Sequence, residues 1–270
     1  MKRLIVGALV VGGLLSHMPV RAEDAQPASA GLAKYSVGAK HSGYVLADPT
    51  TRAMEDDDFQ NPGMLWVETG KQLWSTADGA NGKSCHSCHG DAAKSMKGVA
   101  TTYPKFNARM GKVIDMEQRI NACRQKAMQA KPYAWESREL LALTAYIKNQ
   151  SRGMPMNVAI DGPAAASFEK GKALFSMPQG PRGMSCASCH GSIDASAKSA
   201  ATQNQGQTNG FPTYSLAWQT LGSVQRQIQA CEIHMGVVPH PFGSPEYIDL
   251  ELYLAWRGNG LPVETPAVRK

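Results

Sequence analysis

The chain has 270 residues, 43% of them hydrophobic, with 28 Lys and Arg against 22 Asp and Glu, a formal charge of +6 and a mean hydropathy of −0.31. That length suffices for the core of one large domain or two small ones. No apolar run reaches the roughly 20 residues of a membrane-spanning helix, and the basic residues form no aromatic-interleaved stripe that would argue for nucleic acid.

In chain order, the first landmark is Met1-Lys2-Arg3, followed by the apolar run Leu4–Leu15 and by Pro19-Val20-Arg21-Ala22 ahead of Glu23. This is the layout of a secretory signal peptide over residues 1–22 and predicts an exported mature chain from residue 23. Loss of Lys2, Arg3 and Arg21 lowers the formal charge from +6 to +3. Residues 23–65 read as an irregular N-terminal extension, with the acidic cluster Glu55–Asp58 as a solvated loop.

From residue 66 the landmarks come twice. Gly70-Lys71-Gln72-Leu73-Trp74 is echoed by Gly171-Lys172-Ala173-Leu174-Phe175, and each Gly precedes the first cysteine of a motif by 15 residues. The motifs are Ser84-Cys85-His86-Ser87-Cys88-His89-Gly90 and Ser185-Cys186-Ala187-Ser188-Cys189-His190-Gly191. Gln118-Arg119 then leads to Cys123, and Gln225-Arg226 to Cys231. Ser137 and Ser244 are helix N-caps, the second followed by Pro245 at the favoured first helical position. Helical apolar patterns run from each, placing Tyr146 and Tyr253 alike, and end at Gly153-Met154-Pro155 and Gly260-Leu261-Pro262. The order predicts a mostly α fold of two tandem cytochrome c-like modules from an internal duplication. The boundaries are 66–155 and 156–270, at a Pro/Gly/Ala-rich junction.

Cys-x-x-Cys-His is a site of covalent haem c attachment. Two thiols add across the vinyl groups of one haem, and the adjoining His takes one axial position on the iron. Cys85, Cys88 and His89 would hold one haem; Cys186, Cys189 and His190 would hold a second. A redox dithiol, half a zinc site or a disulfide explains a single Cys-x-x-Cys, but not two motifs with His at matching places. Four haem propionates would bring the exported protein's charge from +3 to roughly −1.

Two cysteines remain, Cys123 and Cys231, lying 35 and 42 residues after the second motif cysteine. They could join the halves as a disulfide, or each could bind its own iron as a thiolate. Otherwise the sixth ligand comes from Met110, Met116 or Met128 in the first half, and from His234, Met235 or His240 in the second. Duplication favours the thiolates, because a ligand within each repeat works before and after the duplication. A thiolate lowers the potential of its haem and puts a reactive sulfur on the metal.

The residues flanking these motifs resemble the SoxA family, the larger cytochrome subunit of the thiosulfate-oxidising Sox system. The resemblance rests on Asn61-Pro62-Gly63-Met64-Leu65-Trp66, on residues 136–144, on Phe242-Gly243-Ser244-Pro245-Glu246, on Leu252–Arg257 and on Pro262–Pro266. It implies a periplasmic heterodimer with a SoxX-like monohaem cytochrome. That complex couples thiosulfate oxidatively to a cysteine of a SoxYZ-like carrier and passes two electrons to cytochrome c. It further implies His89/Cys123 and His190/Cys231 as axial ligand pairs, with Cys231 catalytic. The family places an Arg four residues before the active cysteine. Here that position is Gln227 and Arg226 is its neighbour, which makes this pair the candidate substrate-binding residues. Residues 232–238 also lack the family's basic residue. These departures keep a second reading open, a dihaem electron-transfer cytochrome without transferase activity.

Overall fold

The computed structural model describes residues 28–191 and 204–270; the signal peptide reading lies outside the described residues. The architecture is mostly helical with short hairpins, and one order of elements occurs twice. An opening helix (Met64–Ser75, then Ala165–Ser176) leads to a motif helix (Cys85–His89, then Cys186–His190). A hairpin follows (Lys105–Asn107 with Lys112–Ile114, then Thr213–Ser215 with Thr220–Gly222). A cysteine helix (Met116–Cys123, then Val224–Met235) and a closing helix (Arg138–Asn149, then Pro245–Arg257) complete each set.

Local chemistry accounts for the helix starts. Ser137 and Ser244 accept the backbone N–H of Leu140 and Tyr247, and Asp115 and Ser223 do the same for the cysteine helices. Each motif helix opens with a capping box, Ser84 with Ser87 and Ser185 with Ser188. The repeated glycines have a packing reason: a Cβ at Gly70 would collide with the carbonyl of Ala142, and one at Gly171 with that of Asp249. Opening and closing helices therefore cross with their backbones in near contact, and only Gly fits the crossing.

The two sets interlock. Val113 and Phe106, on the first hairpin, pack with Met156, Phe168 and Tyr253 in the second set's core. Leu221 and Tyr214, on the second hairpin, pack with Val67, Leu141 and Ala145 of the first set's opening and closing helices. Each hairpin thus closes the other set's core.

Residues 28–65 are more ordered than the irregular extension expected. Asp48 caps the helix Pro49–Asp56, with Pro49 in its first turn. Glu55 is buried, not solvated: it is 2% exposed, accepts the backbone N–H of Val268, and pairs with Arg269, which also binds Glu264. Asp56 accepts the hydroxyls of Tyr35 and Tyr44. Asp56 and Asp58 are exposed and Asp57 is half-buried, with Asp58 pairing with Arg152 at 2.5 Å. The strand Ala267–Arg269 runs parallel to Thr213–Ser215, so this cluster ties the 49–56 helix to the second hairpin.

Candidate haem and sulfur site

All six cysteines are free thiols, so no Cys123–Cys231 disulfide is formed. Each lone cysteine instead lies near its own motif. The Cys85 thiol is pushed up by burial and then by the neighbouring Cys123. That of Cys186 is pushed up to about 11 by burial and then by Cys231.

In the second half these groups line one cavity of about 440 Å³, within the usual range for a ligand pocket. Cys186, Cys189 and His190 stand on one side and Cys231 on the cysteine helix, with Phe175, Phe211, Ile228, Leu250 and Leu254 supplying apolar walls. His190 Nδ1 lies 2.5 Å from the carbonyl of Asn204. With Nδ1–H donating there, Nε2 is left as the ligand atom. Two motif thiols, an imidazole held through Nδ1, a third thiol in the same cavity and apolar walls fit covalent haem c.

The motif ends are held differently in the two halves. Trp74 donates its indole N–H to Gly90 O at 3.0 Å. Phe175 stands at Trp74's place in the second half and has no donor. There the buried Arg257 donates to His190 O at 2.7 Å and to Gln205 O at 2.9 Å, its guanidinium lying 4.5 Å from the Phe175 ring centre. Arg257 was quoted in sequence only as part of a matching stretch; its role depends on residues 52 and 67 positions away.

Of the two candidate substrate residues, Gln227 lines the cavity and its amide donates to Cys231 Sγ at 3.6 Å. Arg226 turns aside and stacks on Trp218, 4.4 Å from the ring centre. Burial pushes the Cys231 thiol up, and the Gln227 hydrogen bond opposes that shift. His234 and Met235 also line the cavity, Met235 buried and His234 exposed. His240 lies against Tyr247 with ring centres 5.6 Å apart, and its carbonyl accepts Gln229 Nε2.

In the first half Cys85, Cys88, His89 and Cys123 recur at the corresponding elements, with His89 5.7 Å from the Trp74 ring centre. Met116 and Met128 are buried in the core, and Met110 packs at its edge.

Residues 69–156 and 170–263 match the family model described as SoxA/TsdA, cytochrome c domain, a domain type that carries covalently bound haem c. The L-cysteine S-thiosulfotransferase subunit SoxA of Rhodovulum sulfidophilum is 39% identical over 99% of this chain and 98% of that protein. Its counterpart from Pseudaminobacter salicylatoxidans is 43% identical over 85% of this chain and 80% of its own. The crystal structure of SoxXA from P. pantotrophus matches with a TM-score of 0.81 and 38% identity, covering 89% of this chain and 90% of that one. The chain belongs to the SoxA family of c-type cytochromes.

Proposed function

We propose that this chain is the dihaem, sulfur-handling subunit of an L-cysteine S-thiosulfotransferase, acting in the periplasm as a heterodimer with a SoxX-like monohaem cytochrome. The observation that carries this reading is the placement of Cys231 in one cavity with Cys186, Cys189 and His190, its sulfur contacted by the Gln227 amide. The near full-length likeness to thiosulfotransferase subunits supports it.

Two haem c groups would be held, one by Cys85, Cys88, His89 and Cys123, the other by Cys186, Cys189, His190 and Cys231. The recurring order of elements and the two-part family match support an origin by internal duplication, as modules 66–155 and 156–270. Bound there, haem would supply electron acceptance and a metal that keeps the cysteine sulfur deprotonated.

The reaction joins the outer sulfur of thiosulfate to the thiol sulfur of a SoxYZ-like carrier. One S–S bond forms, the thiol proton leaves, and two electrons pass to cytochrome c. Cys231 would hold the sulfur in transit. The Gln227 N–H would steady that sulfur, a weaker and uncharged substitute for a guanidinium. Arg226, stacked on Trp218, would contribute positive potential to the surroundings and would meet thiosulfate only after leaving the ring.

The test is reconstitution with the SoxX-like and SoxYZ-like partners, following thiosulfate-dependent cytochrome c reduction. Mass analysis of the holoprotein should show two haems and a sulfur or thiosulfate adduct on Cys231. A holoprotein that exchanges electrons with cytochrome c but never responds to thiosulfate would establish the electron carrier reading instead.

A further inference from the structure

The His190 imidazole is oriented by Asn204 O, a carbonyl 14 positions further along the chain. One side chain grips both ends of that contact. Arg257 Nη2 donates to His190 O at 2.7 Å, and Nε donates at 2.9 Å to the carbonyl of Gln205, the residue after Asn204. Nη1 reaches the Tyr253 hydroxyl at 3.4 Å. The guanidinium therefore fixes the end of the motif against the segment that orients its imidazole.

The charge of this group is unmatched. Arg257 is 5% exposed, and among the described residues no carboxylate lies within ion-pair distance of it. Its acceptors are two carbonyls and a hydroxyl, all neutral, together with the rings of Phe175 and Tyr253, whose centres lie 4.5 and 5.8 Å away. Lys40, whose ammonium is pushed down by burial and then by Arg257, is another cation. Arg124, buried to the same degree in the first half, is matched by Asp78 at 2.6 Å. Buried charges are ordinarily paired, because a single one loses its hydration without recompense. The matching place in the first half carries no charge: four residues after Tyr146 stands Gln150, whose amide donates to Tyr146 O, and four after Tyr253 stands Arg257. Nor does Arg257 line the Cys231 cavity, so it is not placed to hold substrate. A fixed cation beside an axial ligand favours the oxidation state of lesser positive charge, which is ferrous iron. A thiolate ligand acts the other way and lowers the potential.

We propose that Arg257 is a positioning residue for haem held at Cys186 and Cys189, and that its unmatched buried charge offsets the Cys231 thiolate and makes that haem easier to reduce. The proposal rests on the two-haem reading and deepens it.

The test is spectroelectrochemical titration of the haem-loaded heterodimer, the wave of the second haem being the one displaced in Cys231→Ala. Arg257→Gln should shift that reduction equilibrium about tenfold toward ferric iron, about 59 mV for one electron, with the other waves in place. The shift should be the same at low and high salt, because a buried charge is screened little. Arg257→Lys, which keeps the charge and loses the planar fork, should hold the equilibrium within about twofold of the parent. An unmoved wave in Arg257→Gln, or equal shifts in the two variants, would make Arg257 a structural clamp only and overturn the proposal. If Arg257→Gln fails to load the second haem, Arg257→Lys decides: a parent-like potential upholds the role of the charge, and a lowered one overturns it. A chain that carries haem at Cys85 and Cys88 alone would overturn the two-haem reading and the proposal with it. A shifted wave in a protein that never turns over thiosulfate would overturn the transferase reading and leave the role of Arg257 standing.

Discussion

Cys123 and Cys231 occupy corresponding helices in unlike surroundings. Immediately after Cys123 comes Arg124, buried, bonded to Asp78 at 2.6 Å and to Lys131 O at 3.0 Å, with its guanidinium 3.5 Å from the Tyr133 ring centre. The backbone widens there into a π-helical turn, Arg124–Met128, closed by Gln129 at φ 54. Cys231 sits within an unbroken helix that continues to Met235. Its next residue is the buried Glu232, bonded to the Tyr247 hydroxyl, and one turn earlier stands the Gln227 amide. One sulfur is flanked by a fixed cation and an aromatic ring; the other lines a cavity of about 440 Å³ beside a neutral amide. The order of elements and the Cys-x-x-Cys-His motif are alike in the two halves, so the difference between the two sulfurs comes from these neighbours.

The strongest way to break the comparison is to remove each sulfur in turn. Cys231→Ala should take thiosulfate-dependent cytochrome reduction below detection. Cys123→Ala should change the absorption of one haem while most turnover survives. Equal losses in the two variants would erase the distinction drawn between the halves.

Next in size is the shared helix crossing. Gly70→Ala and Gly171→Ala each force a methyl against a backbone carbonyl, at a cost of about 3 kcal/mol apiece. Because each hairpin completes the other core, either variant should lower the midpoint of one common denaturant transition. Two separate transitions would show that the halves unfold independently.

Much of this scaffold was legible because its causes are local. The Ser caps, Pro245, the motif spacing and the Gly-aromatic pair act within a few residues, so a linear sequence displays them. The helix after Asp48-Pro49 carried the same kind of local signal, and the acidic run behind it obscured it. Glu55 reads as a loop acid until Arg269 arrives from 214 positions away. The interlocked hairpins and the Arg257 clamp are long-range in the same way. In the site, spacing brought out the six cysteines and the two motif histidines. Which of Arg226 and Gln227 turns toward the sulfur depended on where Trp218 lies, and that is a tertiary fact.

The junction between the halves supplies a pH test. Glu251, on the second closing helix, holds the place that Thr144 holds on the first, and both are buried. Burial, and then the nearby Glu117, push Glu251 up to about 8. Asp115 is pushed up as well, Lys148 opposes both shifts, and Gln225 Nε2 bridges Asp115 and Glu251 at 2.9 and 3.5 Å. A carboxyl raised in the folded state holds its proton there while the unfolded chain has released it. Its stabilisation is complete below the usual carboxylate range near 4.5 and is lost as pH rises through about 8. Thermal stability should therefore fall across that window, by about 1 kcal/mol per pH unit at the steepest. Glu251→Gln, which keeps the shape and a hydrogen bond to Gln225, should flatten the curve. An equally steep curve in that variant would assign the proton to Asp115 or Glu117.

The smallest expected effect is the sharpest probe of the two sulfurs. Four residues before Cys123 stands Arg119; four before Cys231 stands Gln227. The cation thus lies on the side where no substrate chemistry is proposed, and a neutral amide on the side where it is. Gln227→Ala removes one uncharged donor from the Cys231 sulfur and should lower kcat/KM for thiosulfate about fivefold, roughly 1 kcal/mol. Gln227→Arg sets a charged donor on the same face and should lower the thiosulfate KM, more at low salt than at high, because exposed charge is screened. Arg119→Gln should leave thiosulfate kinetics unchanged while shifting the absorption or potential of the haem nearest Cys123. A rise in KM with Gln227→Arg would mean that the position needs a small neutral donor, and that bulk beside Cys231 outweighs charge.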